Sequence, residues 1–244
     1  MRVACLCPTY RRPVGLVENT IACFQNQTYP LELRQLVILD DDGNIGCRKG
    51  DRWRILSVRG YRWPSLPTKY NAMVALAAGY DVLVVWEDDD VYLPWHIEAH
   101  VKALENHQWS HPEYVWTLMK KHELNKEPSG GRFHASLAVR TESLLSVGGW
   151  PLTPRGDFDL QLMANLRREF GEPGNPCVFA PPSYCFRWGS TGSYHGQGYM
   201  SNKDEGGWYS KMPDRAPIQP KVEAFAPHLD EDSVWVFNQT GEPK

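Results

Sequence analysis

No run in the 244-residue sequence is long and apolar enough to span a bilayer, which takes roughly 20 consecutive apolar residues. The amino-terminal VACLCPTY also lacks the apolar core of a signal peptide. The expectation is a cytoplasmic protein with no transmembrane segment. Basic runs are missing too: 26 Lys and Arg stand against 29 Asp and Glu, for a net charge of −3. That balance speaks against an extended nucleic-acid-binding face and leaves room only for a local basic groove. Six cysteines are too few for a disulfide scaffold in a chain of this size. Cys5 and Cys7, two apart in a strand, share a face and read as core packing. Asn26-Gln27-Thr28 and Asn238-Gln239-Thr240 match a glycosylation pattern but would be idle without secretion. With 42% hydrophobic and 23% charged residues, the composition suits one large α/β domain or a domain plus an extension.

One stretch stands out, DVLVVWEDDDVYLP from Asp81 to Pro94. Val82 to Trp86 reads as a strand buried on both faces, and it runs straight into Glu87, Asp88, Asp89 and Asp90. Consecutive carboxylates repel one another. A hard divalent cation such as Mg²⁺ or Mn²⁺ would relieve that repulsion, since it takes oxygen ligands and bridges carboxylates to phosphates. The competing reading is a solvated acidic turn with Asp90 capping the following helix.

The preceding chain alternates. Val3 to Cys7 is a first buried strand ended by Pro8, followed by the loop Thr9-Tyr10-Arg11-Arg12-Pro13. A helix is predicted over Val14 to Asn26, a strand over Gln35 to Leu39 ending in Asp40, Asp41 and Asp42, and another over Ile55 to Val58. Lys69 to Ala78 is a helix stopped by Gly79. Such alternation predicts a mostly parallel sheet flanked by helices, a Rossmann-like arrangement whose ligands bind beyond the carboxyl ends of the strands. Thr9-Tyr10, Asp40 to Asp42 and Glu87 to Asp90 all fall at strand carboxyl ends. Tyr10 also fits an ordinary half-buried aromatic, Asp42-Gly43 a plain turn, and Lys69 a solvated lysine at a helix start.

Further on, Pro94 to Asn106 is an amphipathic helix with Ile97, Val101 and Leu104 inward. His96 and His100 are four apart, a zinc-compatible spacing, but no glutamate completes a protease motif and both are expected at the surface. Tyr114 to Met119 is a strand, Lys120 to Gly131 a polar loop, Phe133 to Val139 a strand, and Arg140 to Val147 a short helix. After Gly148-Gly149-Trp150-Pro151, a helix opens at Gly156-Asp157-Phe158-Asp159 and runs to about Arg168. Asp157 lies at a helix N-terminus, which stabilises a carboxylate; it also fits a simple N-cap. Asp159 is the fallback carboxylate. His134 is placed either toward the site or in the core. Beyond Glu169 glycine, proline and aromatics dominate. CVFAPPSYCFRW suggests strands on either side of Pro181-Pro182. The glycine-rich stretch holding Tyr194, His195, Tyr199, Trp208 and Tyr209 suits a flap over a ligand. The tail after Pro213 would wrap the domain or contact a second copy.

In order, CPTYRRP, QTYP, VILDDDGN, KYNAMVALAAGYD and WEDDDVYLP resemble the nucleotide-binding half of the GT-A glycosyltransferases, in particular the large family 2 group, over roughly residues 2 to 165. The resemblance implies a GT-A core over residues 1–168 and an irregular C-terminal extension, 169–244, on the acceptor side of the same compact domain. It implies that Thr9, Tyr10 and Arg11 flank the nucleotide, that Asp40 or Asp41 meets base or ribose, and that Lys69 approaches the diphosphate. The acidic stretch becomes the DXD element, with Asp89 as principal ligand of Mn²⁺ or Mg²⁺, Glu87 where the family often has its first Asp, and Asp88 on ribose or metal. Asp157 becomes the catalytic base and His195 a further metal ligand; Arg187 becomes a phosphate partner. The implied activity is metal-dependent, inverting transfer from a nucleoside-diphosphate sugar to an unknown hydroxyl acceptor, a nucleic acid included. Two alternatives stand beside it. A nucleotidyltransferase would show a glycine-rich, basic loop after the first strand, where this chain has PTYRRP. A non-catalytic nucleotide- or glycan-binding module would not need the carboxylates and the base.

Overall fold

The computed structural model describes residues 1–187, apart from 13, 60, 119–123, 154 and 155. The expected flap with His195 and the wrapping tail lie outside the described residues.

β1 (Val3–Thr9) is buried along its whole length, as an apolar run covered on both faces should be. It pairs in parallel with β2 (Arg34–Asp40) and, on its other side, with β5 (Val82–Val85). β4 (Trp53–Ser57) extends the parallel set beyond β2, and β3 (Arg48–Gly50) closes that edge antiparallel. Past β5 the direction alternates through β10 (Ala138–Arg140) and β7 (Trp109–Ser110). Among the described residues the resulting seven-stranded sheet has the order β3-β4-β2-β1-β5-β10-β7. A second sheet, of four strands among the described residues, runs β6 (Val91–Tyr92), β11 (Tyr184–Arg187), β8 (Tyr114–Leu118), β9 (Leu124–Pro128). The helices are α1 (Val14–Gln25), α2 (Leu66–Leu76), α3 (His96–Ala103), α4 (Thr141–Ser146) and α5 (Phe158–Phe170). Among the described residues no helix is long and apolar enough to cross a membrane.

The feature that makes a site is a divergence. β1 stays paired with β2 as far as Thr9 and Asp40, but its pairing with β5 stops at Leu6 and Val85. The last bond there runs from the Trp86 N–H to the Leu6 carbonyl, 3.0 Å. Pro8, two residues on, faces the same side of β1 and has no N–H to give, so the ladder cannot continue. β5 therefore peels away at Trp86 and delivers Glu87 to Asp90 into the gap. Trp86 seals the floor, fully buried and stacked on Tyr92 with ring centroids 3.9 Å apart.

Several elements differ from expectation. α2 starts at Leu66, because Ser65 caps it and Pro67 occupies its first turn; Lys69 thus falls inside the helix. The span Phe133 to Val139 is a 3-10 turn, His134–Ser136, followed by the short β10. The polar loop expected over Lys120 to Gly131 carries β9, an exposed edge strand of LNKEP with no apolar alternation to betray it. Only the strand after Pro181-Pro182 forms; before them lies a 3-10 turn, Pro176–Val178.

His96 and His100 are not surface residues. Both are fully buried, with Nδ1 of each 2.9 Å from a serine hydroxyl, Ser183 and Ser110 respectively. A neutral imidazole with one nitrogen bonded is compatible with a core; Nε2 of each ring is buried without a hydrogen-bond partner. Burial lowers His96 to about 3, His111 to about 4 and His134 to about 3. A depressed folded-state value means these rings stabilise the fold above the ordinary 6.5 and cease to do so as pH falls. Carboxyls with raised values act in the opposite sense, so the rings themselves are the clean readout. Their Cε1–H NMR signals should not titrate between pH 7.5 and 5; a midpoint near the ordinary value for any of the three would contradict the burial described here.

Candidate active site

Three strand ends meet at the gap beside β5. At the ends of β1 and β2, Lys69 reaches up from α2 with Nζ 2.6 Å from the Thr9 carbonyl and 2.6 Å from Asp41 Oδ1. It is 1% exposed. Burial lowers its pKa, opposed by Asp41. Lys69 is thus neither the solvated helix-start lysine nor an uncommitted cation; it is half of a buried ion pair joining two strands to a helix.

Asp40 is committed as well. Its carboxylate accepts from the backbone N–H groups of Asp42 (3.0 Å), Gly43 (3.2 Å) and Ile45 (3.4 Å) and from the Ser57 hydroxyl (2.6 Å). It therefore shapes the loop after β2. Gly43 has φ +76°, and a Cβ there would lie 2.7 Å from the Arg59 backbone, so the turn requires glycine. Asp42 pairs with the exposed Arg11 across 3.3 Å. Arg11 itself has φ 53°, a left-handed conformation uncommon for a side-chain-bearing residue. Tyr10 is half-buried, with the guanidinium carbons of Arg62 and Arg11 at 4.6 and 5.1 Å from its ring centroid.

The acidic turn has a cation already in it. Arg12 donates from Nε to Asp88 Oδ1 at 2.8 Å and from Nη2 to Asp89 Oδ2 at 3.2 Å. All three side chains are buried. Burial raises Asp88, and Arg12 opposes the rise. The second oxygen of Asp88 and Nη1 of Arg12 are both buried without a hydrogen-bond partner. The Thr9 hydroxyl favours the charged Asp88 from nearby but likewise makes no bond of normal geometry. Arg12 was not singled out in the sequence. Its signal is a basic residue directly after the first strand in a fold whose neighbouring strand ends in four carboxylates.

Glu87 and Asp90 flank this pair and face different partners. Glu87 accepts from the Tyr70 hydroxyl at 2.7 Å, and burial together with Asp89 pushes it up to about 8. Asp90 is not the cap of the next helix: the residue preceding α3 is Trp95, and it makes no side-chain cap. Asp90 instead accepts from the Tyr184 hydroxyl (2.5 Å) and the Arg187 N–H (3.0 Å), fastening β11 to the turn. Burial and Asp89 raise Asp90 to about 8. The Arg187 guanidinium donates to the Asp89 carbonyl and so also holds the turn.

Asp157 precedes α5 as expected but makes no side-chain cap. Its carboxylate accepts from Thr153 Oγ1 at 2.5 Å and it stays partly exposed. A row of rings connects it to the acidic turn. Phe158 meets His134 edge-on at 5.6 Å, and His134 accepts from the Trp150 indole N–H at 2.7 Å. Trp150 stacks on Tyr70 at 4.8 Å, and Tyr70 holds Glu87. His134 belongs to this core row. Asn71 locks Trp150 through two backbone bonds of 2.8 Å each. Gly149 (φ +76°) is what lets Asn71 approach, since a Cβ there would lie 2.5 Å from its oxygen.

Among the described residues no three His, Cys, Asp or Glu side chains form a ready metal cage. The turn nevertheless fits a hard cation: Asp88 and Asp89 are adjacent, and Asp88 keeps a buried oxygen unmatched. Two carboxylates suffice where phosphates and water complete the shell.

No protein-family profile matches the sequence, and no curated protein matches it. Solved structures do resemble the fold. S. aureus TarS 1–349 in complex with UDP-GlcNAc is 14% identical, with a TM-score of 0.54 over 84% of this chain and 63% of that one. The mannosyltransferase PcManGT from Pyrobaculum calidifontis, in complex with GDP-Man and Mn²⁺, is 16% identical, with a TM-score of 0.56 over 80% of this chain and 59% of that one. The chain spans about three fifths of the length of these structures. It shares their fold, a GT-A-like α/β arrangement with a mostly parallel central sheet flanked by helices.

With Lys69 as the buried partner of Asp41, Lys69→Met should cost about 3–5 kcal/mol by leaving a buried carboxylate without its cation. Adding Asp41→Asn should restore most of that in urea denaturation. A Lys69→Met chain of unchanged stability would return the lysine to ligand binding alone.

Proposed function

We propose that this protein is a metal-dependent glycosyltransferase that moves a hexosyl or related sugar from a nucleoside-diphosphate donor to a hydroxyl acceptor with inversion at the anomeric carbon. The observation that carries this is the placement of Asp88 and Asp89 in the gap where β5 leaves β1, within a GT-A-like fold, with Asp157 opening α5 at the far end of the row from Tyr70 to Phe158. The donors bound by TarS and PcManGT, UDP-GlcNAc and GDP-Man, support the class of donor, and the Mn²⁺ bound by PcManGT supports the cation.

On this reading Thr9, Tyr10 and Arg11 flank the nucleotide, with Tyr10 offering a ring face and Arg11 a charge. Asp41 lies beside them, and Asp40 works through the loop it shapes. Lys69 sets the Thr9 carbonyl and Asp41 in place rather than meeting the diphosphate as a loose side chain. Asp89, with Asp88 and Glu87, would hold Mn²⁺ or Mg²⁺, joined by His195 from outside the described residues. When bound, the cation neutralises charge on the departing diphosphate. Asp157 takes the proton of the acceptor hydroxyl, and Thr153 orients it by donating to Oδ1. An acceptor attacking from the side opposite the leaving group gives inversion. The six free thiols suit a reducing compartment, which supports a cytoplasmic enzyme.

Asp157→Asn should reduce transfer about 10²–10⁴-fold, the usual contribution of a positioned base, while leaving donor binding intact. The assay is nucleoside diphosphate release from a panel of nucleotide sugars, with and without Mn²⁺ and acceptors. Turnover undiminished in Asp157→Asn would remove this residue from the mechanism. Release of pyrophosphate rather than nucleoside diphosphate would replace glycosyl transfer with nucleotidyl transfer.

A further inference from the structure

Arg12 is the buried charge that the proposed reaction leaves unused. It is 5% exposed and spans both carboxylates that would carry the cation, from Nε to Asp88 and from Nη2 to Asp89. A guanidinium is permanently charged and matches paired carboxylates with a rigid fork. The acidic turn is therefore partly neutralised in advance by the chain itself, one positive charge shared between two carboxylates. A divalent cation arriving alone shares these oxygens with a fixed positive charge a few ångströms away, in surroundings that screen poorly.

Two orphaned atoms indicate what relieves this. Nη1 of Arg12 is a buried donor without an acceptor, and Oδ2 of Asp88 is a buried acceptor with no hydrogen bond of normal geometry, the Thr9 hydroxyl near its carboxylate being the one donor beside it. Each unmatched group is costly. A bare cation satisfies only the Asp88 oxygen and repels the guanidinium. A cation that carries a diphosphate brings both missing partners, positive charge for the carboxylate and anionic oxygen for the guanidinium.

We propose that Arg12 is a positioning residue that sets the order of assembly: it keeps the affinity for free divalent cation low, so that the cation enters together with the diphosphate of the nucleotide. This inference rests on the reading of Asp88 and Asp89 as the cation site.

The experiment is Mn²⁺ binding to the full chain by calorimetry, alone and with UDP or GDP as probe, for the wild type, Arg12→Gln and Arg12→Lys. The wild type should bind Mn²⁺ at least about tenfold more tightly with nucleotide than without, and Arg12→Gln should gain about tenfold in nucleotide-free affinity. Arg12→Lys keeps the charge and should stay close to the wild type without nucleotide. Arg12→Gln leaves Asp88 and Asp89 without their guanidinium and is the less stable variant, so its melting temperature with and without Mn²⁺ is measured too; Mn²⁺ should raise it more than it raises that of the wild type. An Arg12→Gln chain that Mn²⁺ neither binds more tightly nor stabilises overturns the inference, as does an Arg12→Lys chain that gains as much affinity as Arg12→Gln. A wild type that binds no Mn²⁺ under any condition removes the cation reading of the turn itself, and the inference with it.

Discussion

Seven carboxylates follow the two strands that flank β1, Asp40 to Asp42 at the end of β2 and Glu87 to Asp90 after β5, and their repulsion is the constraint to which the rest of the structure answers. Buried cations meet part of it. Lys69 pairs with Asp41, Arg12 spans Asp88 and Asp89, and Arg187 lies beside Asp90 and on the Asp89 carbonyl. Hydrogen bonds do the rest: Asp40 is wrapped by three backbone N–H groups and a serine, Glu87 is held by Tyr70, and Asp90 by Tyr184 and the Arg187 N–H. Ion pairs of this kind seldom add net stability over an apolar alternative, since desolvation consumes much of the attraction. The two pairs divide the work: Lys69 and Asp41 join the ends of β1 and β2 to α2, while on the proposed reading Arg12 with Asp88 and Asp89 prepares the gap between β1 and β5 for a charged ligand.

The supports of the turn arrive from distant parts of the chain, which is why the turn can be held rigid. Tyr70 comes from α2, Tyr184 and Arg187 from β11, and Arg12 from the loop after β1. The row of Tyr70, Trp150, His134 and Phe158 then carries the same rigidity to the start of α5. A carboxylate proposed to take a proton and carboxylates proposed to hold a cation are thereby fixed to one another through packed rings rather than through loop backbone. Sites placed with a fixed geometry lose less to reorganisation during reaction.

The strands that carry the site were legible because burial on both faces leaves an unbroken apolar run, as in VLVVW, and because polar residues stop each run abruptly. The positions of Thr9, Asp40 and the stretch Glu87 to Asp90 at strand ends followed from those stops, whereas Asp157 was read from the start of a helix. Commitments of individual side chains were not legible. Nothing local to Lys69 distinguishes a solvated lysine from one pinned to Asp41, since its partner is 28 residues away. His96 and His100 read as surface residues because their burying partners, Ser183 and Ser110, come from later segments. Short or polar strands such as β3, β7 and β9 carry too few residues or too little alternation to register. Arg12 was visible as a residue and invisible as a counter-ion, because its meaning depends on carboxylates 76 and 77 residues away.

The tie between Asp90 and β11 bears on how the protein is made. β11 lies between β6 and β8, parallel to the latter, so the second sheet stays open in the middle until residues 184–187 have left the ribosome. Up to that moment Asp90 lacks the hydroxyl of Tyr184 and the N–H of Arg187, and the turn lacks the Arg187 guanidinium. Pairings this remote in sequence form slowly because a long loop must close first. A nascent chain halted before β11 would display β6 and β8 with bare inner edges, the kind of surface that recruits other strands. The carboxylate cluster is thus spelled out early in synthesis and completed late, and nascent chains would be most exposed to misassociation in that interval.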